Sequence, residues 1–242
     1  MNPPIDLMLN HRSIRHFEDQ PIPHEHIQRA VEAGQAASTS SAVQAYSVMQ
    51  ITNPDTRERI AQLTGPQEKV ARSGAFFIVC GDVRRHRLLA ERIDKSYDAE
   101  TEAFLVAVID ATLFAQNFTL AFEAMGYGIC YIGGVRNDLY AVDELLDLPD
   151  GVYPLYGLCV GVPAEDPSPR PRLPVEAILY TDAYPDDEEI LAQVDAYDAQ
   201  YIEYLRERGA DPVGWSERVA AKAAAAVRSD VGDYYRSKGA EL

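Results

Sequence analysis

The sequence predicts a mixed helix-and-strand chain that ends in a helical extension. Three observations carry this. Ala75-Phe76-Phe77-Ile78-Val79-Cys80 is an unbroken apolar run of strand length, the pattern of a central strand covered on both faces. Between residues 100 and 125, Phe104, Val108, Ala111, Ala115, Phe118 and Phe122 recur every three or four residues with small residues between them. That spacing is a helix apolar on nearly all sides, which must run through a core or an interface. The composition then changes at Thr181: from Asp182 to Asp211 there are ten acidic residues and two basic ones.

The remaining elements follow in order. Residues 5–9 read as a short amphipathic helical piece. Pro23 favours a helix opening, and Ile27, Ala30, Val31 and Gly34 hold helical spacing to about residue 35. The small polar run Ser38-Thr39-Ser40-Ser41 is a loop, and residues 46–52 are strand-prone. Asn53-Pro54 is a helix cap and first residue, and Gly65-Pro66 breaks that helix. Residues 82–97 form a charged helix. Gly126 ends the long apolar helix, and residues 128–132 make a short strand closed by Gly133-Gly134. A helix over 138–146 leads to a buried strand over 154–162. Residues 163–174 hold five prolines in twelve positions and form a rigid, extended loop; 175–180 are read as a last strand segment. In the tail, Ile190, Val194, Tyr197, Tyr201 and Leu205 line one helical face, and further helices are expected over 215–227 and 230–238. Narrow helices of this kind must pack on something larger, so 181–242 is read as an extension of a core spanning 1–180.

The 242 residues bury enough surface to fold without disulfide or metal staples. A formal charge of −16 repels phosphate backbones and argues against nucleic acid as a partner. Cys80, Cys130 and Cys159 each sit in apolar runs with no Cys-x-x-Cys pair, the usage of reduced thiols in the cytoplasm. No basic leader opens the chain, and the longest apolar segment is interrupted by Asp110, Gln116, Asn117 and Glu123, so no membrane span is expected.

No nucleotide-binding glycine fingerprint, phosphate loop, zinc-protease helix or serine-hydrolase elbow is present. His24-Glu25-His26 and Asp186-Asp187-Glu188-Glu189 read as solvated helix starts rather than metal sites. The few cations are clustered instead. His11, Arg12 and Arg15 stand together near the N-terminus, and Arg170 and Arg172 stand in the proline loop. Either the clusters form an anion site, for which a guanidinium fork suits phosphate, or they are ordinary surface ion pairs. Hydroxyls at 38–41 and a backbone-exposing turn at Gly133-Gly134 add what a phosphorylated, planar cofactor needs.

His11-Arg12-Ser13-Ile14-Arg15, the 38–41 run followed by Gln44, Thr64-Gly65-Pro66-Gln67, Ala115-Gln116-Asn117, Tyr131-Ile132-Gly133-Gly134-Val135-Arg136-Asn137, Gly157-Leu158-Cys159-Val160-Gly161 and Pro171-Arg172-Leu173-Pro174 occur together in order. In this the chain resembles the FMN-dependent nitroreductase family, in its larger NADPH-preferring branch. Two places depart from the branch's habit: Arg170-Pro171-Arg172 stands where Lys-Pro-Arg is usual, and Gly65-Pro66-Gln67 where Gly-Gly-Gln is usual.

The resemblance implies an α+β fold with a central, mostly antiparallel sheet flanked by helices. It implies a homodimer with FMN at the subunit interface and C-terminal helices clasping the partner. FMN would be bound by His11, Arg12, Ser13, Arg15, Thr39, Gln67, Tyr131, Ile132, Gly133, Gly134, Arg170 and Arg172, the last two at its phosphate, and NADPH by Arg208 and Arg228. The implied reaction is ping-pong reduction of nitroaromatics, quinones or related electrophiles by NADPH, with no side chain as general acid or base. The alternatives are an NADPH:flavin oxidoreductase that supplies reduced flavin, and a non-enzymatic FMN-binding dimer.

Overall fold

Four antiparallel strands in the order β1-β2-β4-β3 form the sheet at the centre of the fold: β1 is Tyr46–Gln50, β2 Ala75–Asp82, β3 Gly128–Ile132 and β4 Val152–Gly161. This computed structural model describes residues 3–97, 101–225 and 227–242. The unbroken apolar run becomes β2, an inner strand with every residue buried, as a strand covered on both faces should be.

The chain forms two compact units, Met1–Pro167 with Arg228–Leu242, and Ser168–Val227. The sequence reading divides the chain at 180/181. The compact units divide it at 167/168, and the last fifteen residues return to the first unit.

In the first unit, α1 (Pro3–Leu9) and α2 (His24–Gln35) precede the sheet, and α3 (Pro54–Leu63) begins at the expected cap, where the Asn53 side chain accepts from Thr56 N–H at 2.9 Å. Two short helices, α4 (Glu68–Arg72) and α5 (Arg84–Arg92), flank β2. Then comes α6 (Thr101–Ala124); residue 100, where the periodic segment starts in the sequence reading, lies outside the described residues. Phe114, Phe118 and Phe122 of α6 are buried, and Phe118 meets Phe77 of β2 edge-on at 5.1 Å. Gly126 closes α6 with φ +88°, a left-handed turn that favours glycine. α7 (Leu139–Leu146) is capped by Asp138, whose side chain accepts from Ala141 N–H. α10 (Val231–Ser237) is pinned by buried Lys238, whose ammonium donates to Leu148 O at 2.6 Å and faces Asp143 at 3.0 Å.

The second unit contains α8 (Asp187–Glu207) and α9 (Trp215–Ala223). Its core is Tyr197, Tyr201, Tyr204 and Leu205 of α8, with Leu173 and Trp215 against it. Asp198 accepts from both N–H and O–H of Ser216, so α8 caps the start of α9. Two sequence expectations change here. Residues 175–180 are not a strand: Val175–Ala177 is one 3₁₀ turn, Val175, Ile178 and Leu179 are exposed apolar residues, and among the described residues no strand pairs with them. The helix expected over 215–227 stops at Ala223.

Candidate functional site

The N-terminal motif is held against the sheet by its backbone. Ser13 bridges to Ile129 of β3, and Ile14 N–H donates to Ile129 O at 2.9 Å. Ile14 fits because the facing residue is Gly128; a Cβ there would lie 2.5 Å from Ile14 Cγ1. The polar residues either side are paired: His11 Nδ1 lies 2.7 Å from Glu123 Oε1, and Arg12 meets Asp166 at 2.5 Å. Both backbone N–H groups of Arg15 and His16 donate to the Glu165 carboxylate. Burial would raise that carboxyl, but these two bonds and the nearby charges of His16 and Arg15 leave it below its ordinary value.

Arg15 then meets the second motif. A cavity of about 400 Å³ is lined by Arg15, His16, Gln67, Lys69 and Arg72, with Glu68 the one carboxylate among its lining residues. Gly65, at φ +83°, turns the chain out of α3 so that Gln67 enters this cavity. The Gln67 amide nitrogen donates to Thr64 O at 2.7 Å, which fixes its orientation. Lys69 and Arg72 are absent from the sequence reading. They follow Gln67 by two and five residues on α4, a helix too short for periodicity to mark; their one signal was basic residues just beyond a suspected ligand contact. Burial raises the thiol of Cys130, and the charges of Lys69 and Arg15 oppose that rise.

The third motif packs on the second. At Gly134 a Cβ would lie 2.4 Å from Thr64 O and 2.6 Å from Gln67 Nε2, so only glycine lets the 133–134 turn reach the Gln67 segment. At Gly133 the nearest atom is the flexible end of Arg136, at 3.3 Å. Ile132 is buried, whereas Tyr131 is partly exposed; the Tyr131 ring meets Tyr156 edge-on at 5.4 Å, and its hydroxyl is 3.4 Å from Thr119 Oγ1. Burial pushes the Tyr131 hydroxyl up to about 12, against the lowering effect of Thr119, so it is a neutral phenol at physiological pH. Arg228 Nε donates to Asn137 Oδ1 at 3.0 Å, and burial together with repulsion from Arg136 holds its guanidinium below its ordinary value. Two guanidiniums, those of Arg136 and Arg228, thus stand at the 133–137 turn, a juxtaposition the sequence reading does not contain.

Thr39 lies in a loop of unusual backbone: Ser41, Ala42 and Gln44 have φ of 46°, 58° and 51°. In the second unit, Arg170 and Arg172 are exposed, and both guanidiniums oppose the rise that burial imposes on Tyr197, whose hydroxyl donates to Pro171 O at 2.9 Å. Arg208 donates to the Tyr204 hydroxyl at 2.6 Å and lies over that ring at 5.4 Å. The three cysteines are free and buried, and burial pushes the Cys159 thiol up to about 12, so none is a ready nucleophile.

Cations, an amide and a close-approach glycine turn form a donor set for an anionic, flat ligand. Comparison with known proteins gives the same direction. The nitroreductase family matches residues 8–162, and the nitroreductase family C-terminal domain matches residues 170–242. A Bacillus subtilis (strain 168) protein named FMN reductase (NADPH) is 42% identical over 245 residues, covering 99% of this chain and 98% of its own length. A Salmonella typhimurium oxygen-insensitive NADPH nitroreductase is 39% identical over 225 residues, 90% of each chain. The solved structure of B. megaterium NfrA1 superposes with a TM-score of 0.97 at 42% identity, covering 100% of both chains.

Proposed function

The chain belongs to the nitroreductase family, and on that premise we propose that it is an NADPH-dependent flavin oxidoreductase that binds FMN and reduces nitroaromatics, quinones or related electrophiles. The observation that carries the reading is the cationic cavity lined by Arg15, Gln67 and Lys69, with Gly134 of the 133–134 turn packed against Gln67.

The residues present fit the cofactor. In a chain of net charge −16, this cavity sets Arg15, Lys69 and Arg72 against Glu68 alone, a balance suited to an anionic group. Bound FMN would supply the redox chemistry, taking two electrons from NADPH and passing them to the acceptor in a ping-pong sequence. The chain's own part is binding, orientation and electrostatics. Arg15 and Lys69 would offset negative charge gathered at one ring edge, and Gln67 would hydrogen-bond the ring. Tyr131, Ile132 and the 133–134 turn would lie along the ring. Thr39, His11, Arg12 and Ser13 would bind the remainder, with Arg170 and Arg172 at the phosphate. Arg208 and Arg228 would take the phosphates of NADPH.

The same reading makes the protein a homodimer. Leu105, Ile109 and Leu113 form an exposed apolar stripe on α6, continuous in kind with Ile5, Met8 and Leu9 of α1. A hollow of about 600 Å³ lined by Pro3, Leu7, Met8, Ala33, Leu120 and Ala124 lies between α1, α2 and α6. Surfaces of this character belong against another copy. Three free, buried thiols support a reducing compartment, the cytoplasm.

The test is direct. Purified protein should carry flavin absorbance or quench the fluorescence of added FMN, and should sediment as a dimer. Absence of any FMN binding would end this reading. A panel of nitroaromatics, quinones and free FMN as acceptors would then separate a general reductase from one that mainly supplies reduced flavin.

A further inference from the structure

Asp110 stands near the middle of α6, the most apolar helix in the chain, and is fully buried at 0% exposure. A carboxylate there is costly unless its oxygens are bonded. Each oxygen takes one backbone N–H from the same loop: Oδ1 accepts from Ser40 at 3.0 Å and Oδ2 from Ala45 at 3.1 Å. Between those two anchor points lie the three left-handed, non-glycine residues Ser41, Ala42 and Gln44. That conformation is unfavourable for side-chain-bearing residues, so the loop has a local reason to relax out of it. The two bonds clamp it at both ends.

We infer that Asp110 is a positioning residue that holds the Thr39–Gln44 loop in the one shape able to meet the cofactor. This rests on the reading that Thr39 contacts FMN. Asp110 itself touches neither cofactor nor substrate; it acts through two loop amides. The clamp explains why a carboxylate is fully buried in the middle of this helix, and why the loop keeps its backbone strain.

The experiment measures FMN affinity of the apoprotein by fluorescence quenching, alongside thermal midpoint and amide exchange at residues 39–45. Asp110→Asn keeps the volume but leaves one acceptor oxygen for two N–H donors, so one clamp bond is lost. The FMN Kd should rise about tenfold, the effect of one charge-assisted hydrogen bond, and exchange across the loop should quicken. Ser40→Pro gives an independent route. Thr39 is extended (φ −130°, ψ 155°) and Ser40 opens a 3₁₀ turn, so proline is tolerated there and deletes the Ser40 N–H donor, with Ser40→Ala, which removes the hydroxyl alone, as its control. Its effect on the Kd should be non-additive with that of Asp110→Asn, because both remove the same clamp. A lowered thermal midpoint with unchanged FMN Kd would make Asp110 a fold buttress and overturn the inference; if Asp110→Asn fails to fold, an unchanged Kd in Ser40→Pro overturns it equally. Wild-type protein with no FMN affinity overturns both this step and the reading beneath it, whereas normal wild-type binding with unaffected variants overturns this step alone.

Discussion

Gly134→Ala is the substitution whose consequence can be worked most fully from the geometry. The added Cβ would sit 2.4 Å from Thr64 O and 2.6 Å from Gln67 Nε2. The first neighbour is backbone, so it cannot swing aside; to reach 3.4 Å, the near edge of ordinary contact, the turn or the Thr64 segment must move by 3.4 − 2.4, about 1 Å. Overpacking of this kind costs about 1–3 kcal/mol, which for a chain of this size lowers Tm by roughly 2–12 °C. The second neighbour is the Gln67 amide, so the same shift breaks the 2.7 Å bond that orients it. FMN affinity should therefore fall together with stability. Gly133→Ala is the control, since its Cβ meets only the mobile end of Arg136 at 3.3 Å. That variant should keep Tm within about 1 °C, yet weaken FMN binding if the turn lies along the ring, because a methyl group would enter the ring's space. Calorimetry and flavin fluorescence quenching read both quantities. Equal Tm for Gly134→Ala and wild type would refute the packing argument, and unchanged FMN affinity in both variants would remove the turn from the cofactor site.

Three other outcomes are expected. Lys238→Met removes the ammonium that bonds Leu148 O and Asp143, and should lower unfolding free energy by about 1–3 kcal/mol in denaturant titration; unchanged stability would show that the C-terminal turn is not held there. The Glu165 carboxyl sits below its ordinary value of 4.5 in the folded chain, so its contribution is complete above that value and is lost as pH falls through the lower, folded one. Glu165→Gln should then flatten the loss of stability below about pH 4.5, and an identical acid limb in the variant would disprove the assignment. Arg208→Ala should raise the KM for NADPH about tenfold, the scale of one lost phosphate contact, and leave NADH unaffected; parallel changes for both nucleotides would take Arg208 out of the phosphate site.

Much of the fold was legible because its signals are local. Asn53-Pro54 caps α3, Asp138 caps α7, and Gly126 ends α6 through a backbone angle that glycine adopts freely. The apolar run at 75–80 could only be an inner strand, and it is one. The apparent strand at 175–180 failed because β-prone residues do not pair without a neighbour, a fact of tertiary structure that no window of sequence contains. The site divides in the same way. Arg15 and Gln67 stand in recognisable motifs, and the structure brings them to one cavity. Lys69 and Arg72 join them through a five-residue helix with too few turns to show a period. Asp110 was read as an interruption of an apolar helix; its role as a clamp depends on a loop 65–70 residues away in the chain. Gly134 looked like a residue spared for a ligand, and the structure adds a second reason in the carbonyl of Thr64.

The central claim, that this protein moves electrons from NADPH through a bound flavin, is tested most directly by an anaerobic titration of FMN-loaded protein. Stoichiometric NADPH should abolish the visible flavin band, and a nitroaromatic or quinone added next should restore it. A flavin band that persists unchanged in excess NADPH would contradict the claim, whatever else the protein binds.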